Sequence, residues 1–187
     1  VHDLKPVTAL GGAEPQVNRF DHVTITENDA LSLASVAARL DFETECHSVL
    51  KDLLGNAPGP GKAVFNDPTG GFWMGPDQWM IKAPINSHEL LADRLKESLG
   101  ATASVTEQSG AWVCFDLTGP GIADVTERLC AAPIRKMTSG DAVRSVIHQL
   151  GCFLIRMEEN DHLRILGPRA SAGTLHHALL TAARSTE

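Results

Sequence analysis

Hydrophobic and polar residues follow two different spacings in the first part of the chain. Residues 32–39 are small and apolar over the length of a strand, and they predict a strand. The apolar residues that follow recur at helical spacing and predict a helix, with Asp41 as its N-cap and Gly55 as its left-handed stop. The apolar face of this helix would comprise Phe42, Cys46, Val49, Leu50, Leu53 and Leu54.

A hairpin and a second helix are predicted next. Residues 56–62 are rich in Pro and Gly and predict a loop. Residues 72–74 and 78–83 read as two strands joined by Gly75-Pro76-Asp77. Asn86 and Glu89 have the spacing of a capping box, which predicts a helix that ends at Gly100. Its inward residues would be Leu91, Leu95 and Leu99.

The second half of the chain repeats this order of elements. It predicts a strand, a Gly-Pro-Gly turn, a helix, three strands and a last helix opened by Ser171. The ranges are 111–117, 119–121, 122–130, 143–150, 152–157 and 163–166, with a polar tip at 158–161. Matched positions form a weak internal repeat. They are Val49 with Val125, Gly61-Lys62-Ala63-Val64 with Gly140-Asp141-Ala142-Val143, and Pro84, Leu91 and Leu95 with Pro168, Leu175 and Leu179.

The predicted fold class is therefore α+β, built from duplicated β-α-β-β-β-α units that form one compact body. Residues 1–20 lack periodicity and are predicted to be an extended N-terminal tail. Residues 21–187 would be a single domain, with halves at about 21–100 and 101–187.

Composition and charge narrow the functional classes. With 187 residues, 43% of them hydrophobic, and a net charge of −7, the chain is expected to be globular and to bind no nucleic acid. No run approaches the roughly 20 apolar residues of a membrane span, and no basic, then apolar leader opens the sequence. We therefore expect a cytoplasmic protein without membrane contact. The four cysteines are scattered, and we expect buried reduced thiols.

Motifs of nucleotide binding and nucleophilic catalysis are incomplete. Gly61-Lys62 lacks the first glycine and the final Ser or Thr of a phosphate-binding loop. Gly119-Pro120-Gly121 lacks the third glycine of a dinucleotide fingerprint, and a tight strand-to-helix turn is the alternative. Ser171 lies in Arg169-Ala-Ser-Ala-Gly173, where arginine replaces the glycine of a nucleophile elbow, and a helix cap is the alternative.

The sequence evidence for metal binding and for acid–base catalysis is equally weak. The metal-ligand candidates lack chelating spacing, and surface or partner-facing histidines are the alternative; these candidates are Cys46-His47, His148, Cys152 and His176-His177. Glu158 and Glu159 fall on the predicted polar tip, where carboxylates are solvated. Three tryptophans, Trp73, Trp79 and Trp112, fit either core filling or a large partner interface. The residues favour an interaction module over an enzyme.

Six strings in order resemble the gamma subunits of heterotetrameric sarcosine oxidases. They are Leu33-Ala-Ser-Val-Ala-Ala-Arg39, Gly75-Pro-Asp-Gln-Trp79, Ser104-Val-Thr-Glu-Gln108, Leu150-Gly-Cys152, Leu166-Gly-Pro-Arg169 and Ser171-Ala-Gly-Thr-Leu-His-His-Ala178. The resemblance runs from Leu10 onward. The turn Leu117-Thr-Gly-Pro-Gly121 is also similar to the first domain of the aminomethyltransferase, or glycine-cleavage T-protein, superfamily, which implies the same α+β architecture.

This resemblance implies a noncatalytic structural subunit of a complex that oxidises sarcosine to glycine. Such a complex passes the one-carbon unit to tetrahydrofolate or releases formaldehyde, and oxygen becomes hydrogen peroxide. FAD, FMN, NAD, tetrahydrofolate and zinc would belong to the alpha, beta and delta subunits, so no catalytic, cofactor-binding or metal residue carries over to this chain. The alternatives are a stand-alone folate-binding or aminomethyltransferase-like protein and an adaptor that has lost the oxidase.

Overall fold

Two antiparallel sheets and five α-helices make up an α+β fold in the computed structural model, which describes residues 5–157 and 161–187. The strands are β1 (Val17–Arg19), β2 (Thr24–Glu27), β3 (Leu31–Ala38), β4 (Ala63–Val64), β5 (Gly70–Gly75), β6 (Gln78–Pro84), β7 (Ala103–Glu107), β8 (Trp112–Thr118), β9 (Ala142–Ile147), β10 (Leu150–Arg156) and β11 (His162–Pro168). The helices are α1 (Glu43–Leu54), α2 (Ile85–His88), α3 (Leu91–Leu99), α4 (Ile122–Glu127) and α5 (Ala172–Arg184).

The first of two compact units, the five-stranded unit, comprises residues 30–110 and 140–143. Its sheet has the order β4-β5-β6-β3-β7. Alternate residues of β3 and β6 join the apolar faces of α1 and α3 in one core, because successive side chains of a strand point to opposite faces. That core includes Ala34, Val36, Cys46, Leu50, Leu54, Trp79, Ile81, Leu91, Leu95 and Leu99.

The six-stranded unit comprises the described residues up to Asp29, with 111–139 and 144–187. Its sheet has the order β1-β2-β8-β11-β10-β9. Helix α5 packs on one face, where the His176 ring stacks on Phe115. Gly167 permits this approach, since a Cβ there would lie 2.5 Å from Cδ2 of Leu175.

The strand and hairpin predictions for residues 32–39 and 72–83 are confirmed, as is the left-handed stop at Gly55, which has φ +77°. The side-chain caps are wrong. Phe42 is the N-cap of α1, and Asp41 adopts φ +69° in the turn before it. Asn86 lies within the short α2, and α3 begins after Leu90.

The ends of three later elements also differ from prediction. Helix α4 ends at Glu127 rather than Cys130. Strand β9 ends at Ile147, because His148 and Gln149 form a turn at φ 48° and 68°, and Leu150 starts β10. Ser171 is the N-cap residue of α5, but its side chain makes no capping hydrogen bond. Of the predicted polar tip, residues 158–160 lie outside the described residues.

The N-terminal segment is tied to the six-stranded unit by a buried carboxylate. Glu27 is buried and accepts hydrogen bonds from the backbone N–H of Leu10 at 2.9 Å and of Gln16 at 3.2 Å. Thr8 is also buried, and residues 17–19 form β1. From Thr8 onward the segment is therefore anchored to the six-stranded unit, because Glu27 supplies acceptors for its backbone.

Candidate functional site

A buried cluster of charged and polar side chains lies on the six-stranded sheet. Strands β8 and β11 place Asp116 directly opposite Arg164, two residues from His162. Asn28 follows β2, the other neighbour of β8. Asp116 and Arg164 belong to the sheet face opposite Phe115 and Ile165, since neighbouring residues of a strand alternate between faces. We call Asn28, Asp116, His162 and Arg164 the Asp116 cluster.

Both oxygens of Asp116 are occupied. Oδ1 accepts a hydrogen bond from Nε of Arg164 at 2.8 Å, and Oδ2 accepts one from the terminal nitrogen of the same guanidinium at 2.9 Å. Asn28 donates to Oδ2 at 2.7 Å. Nε2 of His162 lies 3.1 Å from Oδ1, but it does not meet this oxygen in full hydrogen-bond geometry. The pair of Asp116 and Arg164 is bidentate, the arrangement in which a guanidinium fits a carboxylate best.

The cluster keeps both members of the pair charged. Burial alone would raise the pKa of Asp116, but His162, Arg164 and Asn28 stabilise the carboxylate and hold this pKa well below its usual range. Burial likewise opposes the charge of Arg164, and the hydrogen bonds to Asp116 outweigh that effect and raise its pKa. A carboxylate this acidic, with both oxygens engaged, is unsuited to general-base catalysis near neutral pH.

The neighbouring thiol is also unreactive. Cys114 is buried on the same strand, and burial together with the charge of Asp116 raises its pKa well above the ordinary value, although Arg164 works in the opposite direction. A thiol is a nucleophile only as its thiolate. We therefore interpret the Asp116 cluster as a structural element that fixes β2, β8 and β11 in register.

The five-stranded unit has the same geometry with neutral side chains. Ser35 of β3 lies opposite Met80 of β6, as Asp116 lies opposite Arg164. Gln108 donates from its amide to Oγ of Ser35 at 3.2 Å, as Asn28 donates to Asp116. Asp116 and Arg164 interrupt apolar strands, and this pattern could have indicated a buried charged pair. The predictions made from the sequence do not include it.

Gly119-Pro120-Gly121 is the predicted strand-to-helix turn. Gly119 has φ +118°, and a Cβ there would lie 2.6 Å from the carbonyl oxygen of His22. A Cβ on Gly121 would lie 2.0 Å from the His22 ring, and the N–H of Gly121 donates to the His22 carbonyl at 2.9 Å. The glycines thus admit a neighbouring backbone segment to the turn. Gly119 also lines an open cavity of about 270 Å³, together with Pro120, Ile122, Ala123, Ile134, Arg135, Met137, Arg156 and Asp161.

Gly61-Lys62 lies at a bridge rather than in a phosphate loop. Lys62 pairs with Asp141, and its Nζ is 2.6 Å from Oδ1. The N–H of Ala63 donates to Gly140 at 2.7 Å, and that of Ala142 donates to Gly61 at 2.8 Å. These are residues that the sequence repeat aligned with each other.

The metal-ligand candidates are dispersed among different partners. His47 contacts Asp77 at 3.0 Å, while His148 lies in the turn before β10. His176 is partly exposed, and its Nε2 lies 2.8 Å from Oδ1 of Asn18 while its ring stacks on Phe115. Burial, with the charge of His177, lowers the pKa of His176 despite the opposing effect of Glu27. No group of three potential metal-ligating side chains occurs within residues 5–157 and 161–187.

All four cysteines are free, as predicted, and Cys130 is partly buried while the other three are buried. Burial and Asp77 raise the pKa of Cys46 to about 11. Burial also raises that of Cys152 to about 11, with a further increase from Cys130 and an opposing backbone hydrogen bond from Ile147.

The three tryptophans differ in exposure. Trp79 is buried in the five-stranded unit and donates from Nε1 to the Pro58 carbonyl at 2.9 Å, while Trp73 and Trp112 are partly exposed. Glu158 and Glu159 lie outside the described residues. No described helix has the length and apolar character needed to cross a membrane.

Comparison with known proteins finds similar proteins among the solved structures. No family model and no curated protein matches the sequence. A chain of heterotetrameric sarcosine oxidase from Corynebacterium sp. U-96, solved with pyrrole 2-carboxylate, is similar with a TM-score of 0.76 and 22% identity, over 87% of this chain and 84% of that chain. This chain has the fold of that sarcosine oxidase chain.

The resemblance to sarcosine oxidase predicted from the sequence is thus confirmed at the level of the fold. Aminomethyltransferase T of the glycine cleavage system from Bartonella henselae is also similar, with a TM-score of 0.65 and 17% identity over 87% of this chain. The match spans about half of that protein, 49%. At these identities the likeness establishes architecture, and the chemistry has to be argued from the residues.

Proposed function

We propose that this chain is the noncatalytic, structural gamma subunit of a multi-subunit sarcosine oxidase. The complex demethylates sarcosine to glycine, transfers the one-carbon unit to tetrahydrofolate and produces hydrogen peroxide. Its alpha, beta and delta subunits are the proposed partners, and they hold FAD, FMN, NAD, tetrahydrofolate and zinc. The proposed compartment is the cytoplasm.

One observation carries this proposal. The likeness to the sarcosine oxidase chain extends over most of both chains, 87% of this one and 84% of the other. The state of the titratable side chains supports the noncatalytic role. Asp116 has both oxygens engaged, and burial raises the pKa of the thiols of Cys46, Cys114 and Cys152.

The test is co-expression of the affinity-tagged chain with candidate alpha, beta and delta subunits from the same genome. We expect one complex that carries flavin absorbance and releases hydrogen peroxide when sarcosine is added. A matched preparation without this chain should give less assembled complex. The proposal fails if the other three subunits assemble and oxidise sarcosine fully while the tagged chain purifies alone.

The likeness to aminomethyltransferase T supports a second candidate, a stand-alone folate-binding or aminomethyltransferase-like protein. A ligand that binds only the native state, at 100 times its dissociation constant, stabilises that state by about 2.7 kcal/mol. Thermal unfolding of the purified chain with and without tetrahydrofolate therefore distinguishes the candidates. An increase in Tm that saturates with folate would favour the second one.

We also propose that the two units are copies of one β-α-β-β-β-α unit within a single domain. Their sheet orders correspond strand for strand, β4-β5-β6-β3-β7 with β9-β10-β11-β8-β2. Equivalent backbone hydrogen bonds support this origin, since Gln108 donates to Leu33 and Asn28 donates to Cys114, each at 2.8 Å. The five-stranded unit lacks a counterpart of β1 among the described residues.

A further inference from the structure

The open edge of the five-stranded sheet is strand β7. It pairs with β3 on one side, and no described strand lies on its other side. The backbone of Gln108 donates to Leu33, and Arg39 donates to Thr102. Because bonding residues alternate along an antiparallel strand, the bonds to β3 fall at the even-numbered residues of β7. The N–H and C=O groups of Ala103, Val105 and Glu107 therefore point away from the sheet.

The corresponding edge of the six-stranded sheet is covered. Strand β2 occupies the position of β7 there, and β1 pairs with its outer side in antiparallel register, from Val17 opposite Thr26 to Arg19 opposite Thr24. His22, in the connection between β1 and β2, also contacts the Gly119–Gly121 turn. The six-stranded sheet thus has a sixth strand, β1, on this edge, whereas no described strand occupies the equivalent place beside β7 in the five-stranded sheet.

An exposed leucine lies beside the open edge. Leu40 lies in the turn between β3 and α1. Leu40 is 81% exposed, and Phe42 is exposed as well. The hydrogen bond from Arg39 to Thr102 places this turn next to the start of β7. Backbone groups and an apolar side chain are therefore both uncovered at one place.

Native proteins usually blunt such edges with prolines, lysines or bulges. Strand β7 reads Ala-Ser-Val-Thr-Glu, which has neither proline nor lysine, and its register with β3 is unbroken over all five residues. Its outer backbone groups are thus available to a partner strand.

We propose that an extended segment of another subunit adds to β7 as an antiparallel sixth strand. Backbone hydrogen bonds to Ala103, Val105 and Glu107 would hold it, as in other cases of strand addition. Such a segment has a residue other than proline opposite Val105, and an apolar side chain that covers Leu40. That the donor is another subunit rests on the proposed function, whereas the open edge does not.

Three variants of the co-expressed complex test this proposal. Val105→Pro removes an outward N–H and keeps the two neighbouring bonds to β3, whereas Val105→Thr keeps the N–H in a side chain of similar shape. Leu40→Ser removes the exposed apolar group, with Val146→Ser, at a position 58% exposed, as its matched control. We expect Leu40→Ser to weaken association about tenfold or more, the effect of losing one buried leucine, and Val105→Pro to weaken it at least as much.

Hydrogen exchange in the unmodified complex provides a test that needs no variant. If a strand is added, the amides of residues 103–107 exchange slowly at both the odd and the even positions. Rapid exchange at Val105 in the assembled complex, or unchanged association of both Leu40→Ser and Val105→Pro, would overturn the proposal. If the unmodified chain joins no subunit at all, the proposed function fails and the proposed donor with it; if it joins them and Val105 exchanges rapidly, strand addition alone fails.

Discussion

The two sheets place the same backbone geometry around different chemistry. In the six-stranded unit, Asp116 and Arg164 form a buried bidentate pair, with Asn28 donating to the carboxylate. In the five-stranded unit, the matching residues are Ser35 and Met80, with Gln108 donating to the hydroxyl. In both units the donor follows the strand that pairs with the acceptor's strand: Asn28 follows β2, and Gln108 follows β7. This hydrogen bond therefore does not depend on the charges.

The difference shows how one fold can replace an ion pair with neutral groups. Taking two charges out of water costs several kcal/mol per ion, and good geometry offsets this cost only in part. A neutral pair of similar volume is therefore often as stable as a buried ion pair. The charged version makes each partner dependent on the other, whereas Met80 does not need Ser35.

Removal of one charge is expected to give the largest effect. Asp116→Ala leaves Arg164 buried without its carboxylate, and it should lower the free energy of unfolding by about 3–5 kcal/mol. Urea denaturation followed by far-ultraviolet circular dichroism measures this change.

The control converts the charged pair into the neutral one. Asp116→Ser combined with Arg164→Met installs the residues of the five-stranded unit, and we expect it to recover most of the stability that Asp116→Ala loses. If the double variant is as unstable as the single one, the loss reflects packing or the contact with His162 rather than an unpaired charge.

The pH dependence of stability should also distinguish the charged pair from its neutral replacement. Because the folded pKa of Asp116 is lowered, its contribution is complete above the unfolded aspartate pKa of about 3.9 and is lost as the pH falls toward the folded value. Below about pH 4, wild-type stability should fall relative to the Asp116→Ser, Arg164→Met variant, with a limiting slope of about 1.4 kcal/mol per pH unit. Parallel profiles for the two proteins would contradict this expectation.

The neutral hydrogen bond between Gln108 and Ser35 should contribute less to the free energy of unfolding. Ser35→Ala removes the acceptor of the Gln108 amide, and a hydrogen bond between neutral groups typically contributes about 0.5–1.5 kcal/mol. The same urea denaturation measures this loss, with Ser104→Ala, on the exposed face of β7, as its control. A loss equal to that of Asp116→Ala would mean that charge does not distinguish the two sites.

Local sequence predicted the elements whose signals are contained within them. The run at 32–39, the hairpin around Gly75-Pro76-Asp77 and the stop at Gly55 each depend on residues close together in the chain. Strands β2 and β7 were missed because they are short and polar, and their pairing with β8 and β3 decides their structure.

The Asp116 cluster could not be assembled from spacing alone. Asp116 and Arg164 meet through the register of β8 with β11, and Asn28 joins them through β2. A charged residue within an apolar strand indicates that a partner exists, but it does not identify the partner. The same reason explains the failed caps, since Asp41 at φ +69° serves the turn rather than the helix.

The smallest expected effect concerns the bridge between residues aligned in the sequence repeat. Lys62 and Asp141 have half-exposed and largely buried side chains respectively, and exposed pairs typically contribute about 0.2–1 kcal/mol. Lys62→Met should therefore lower the free energy of unfolding by less than about 1 kcal/mol, and the difference should shrink in 1 M salt, where the screening length is about 3 Å. The reciprocal backbone bonds of Ala63 and Ala142 remain in this variant. A loss above about 2 kcal/mol that persists in salt would show that the side-chain pair, and not the backbone bridge, holds these two segments together.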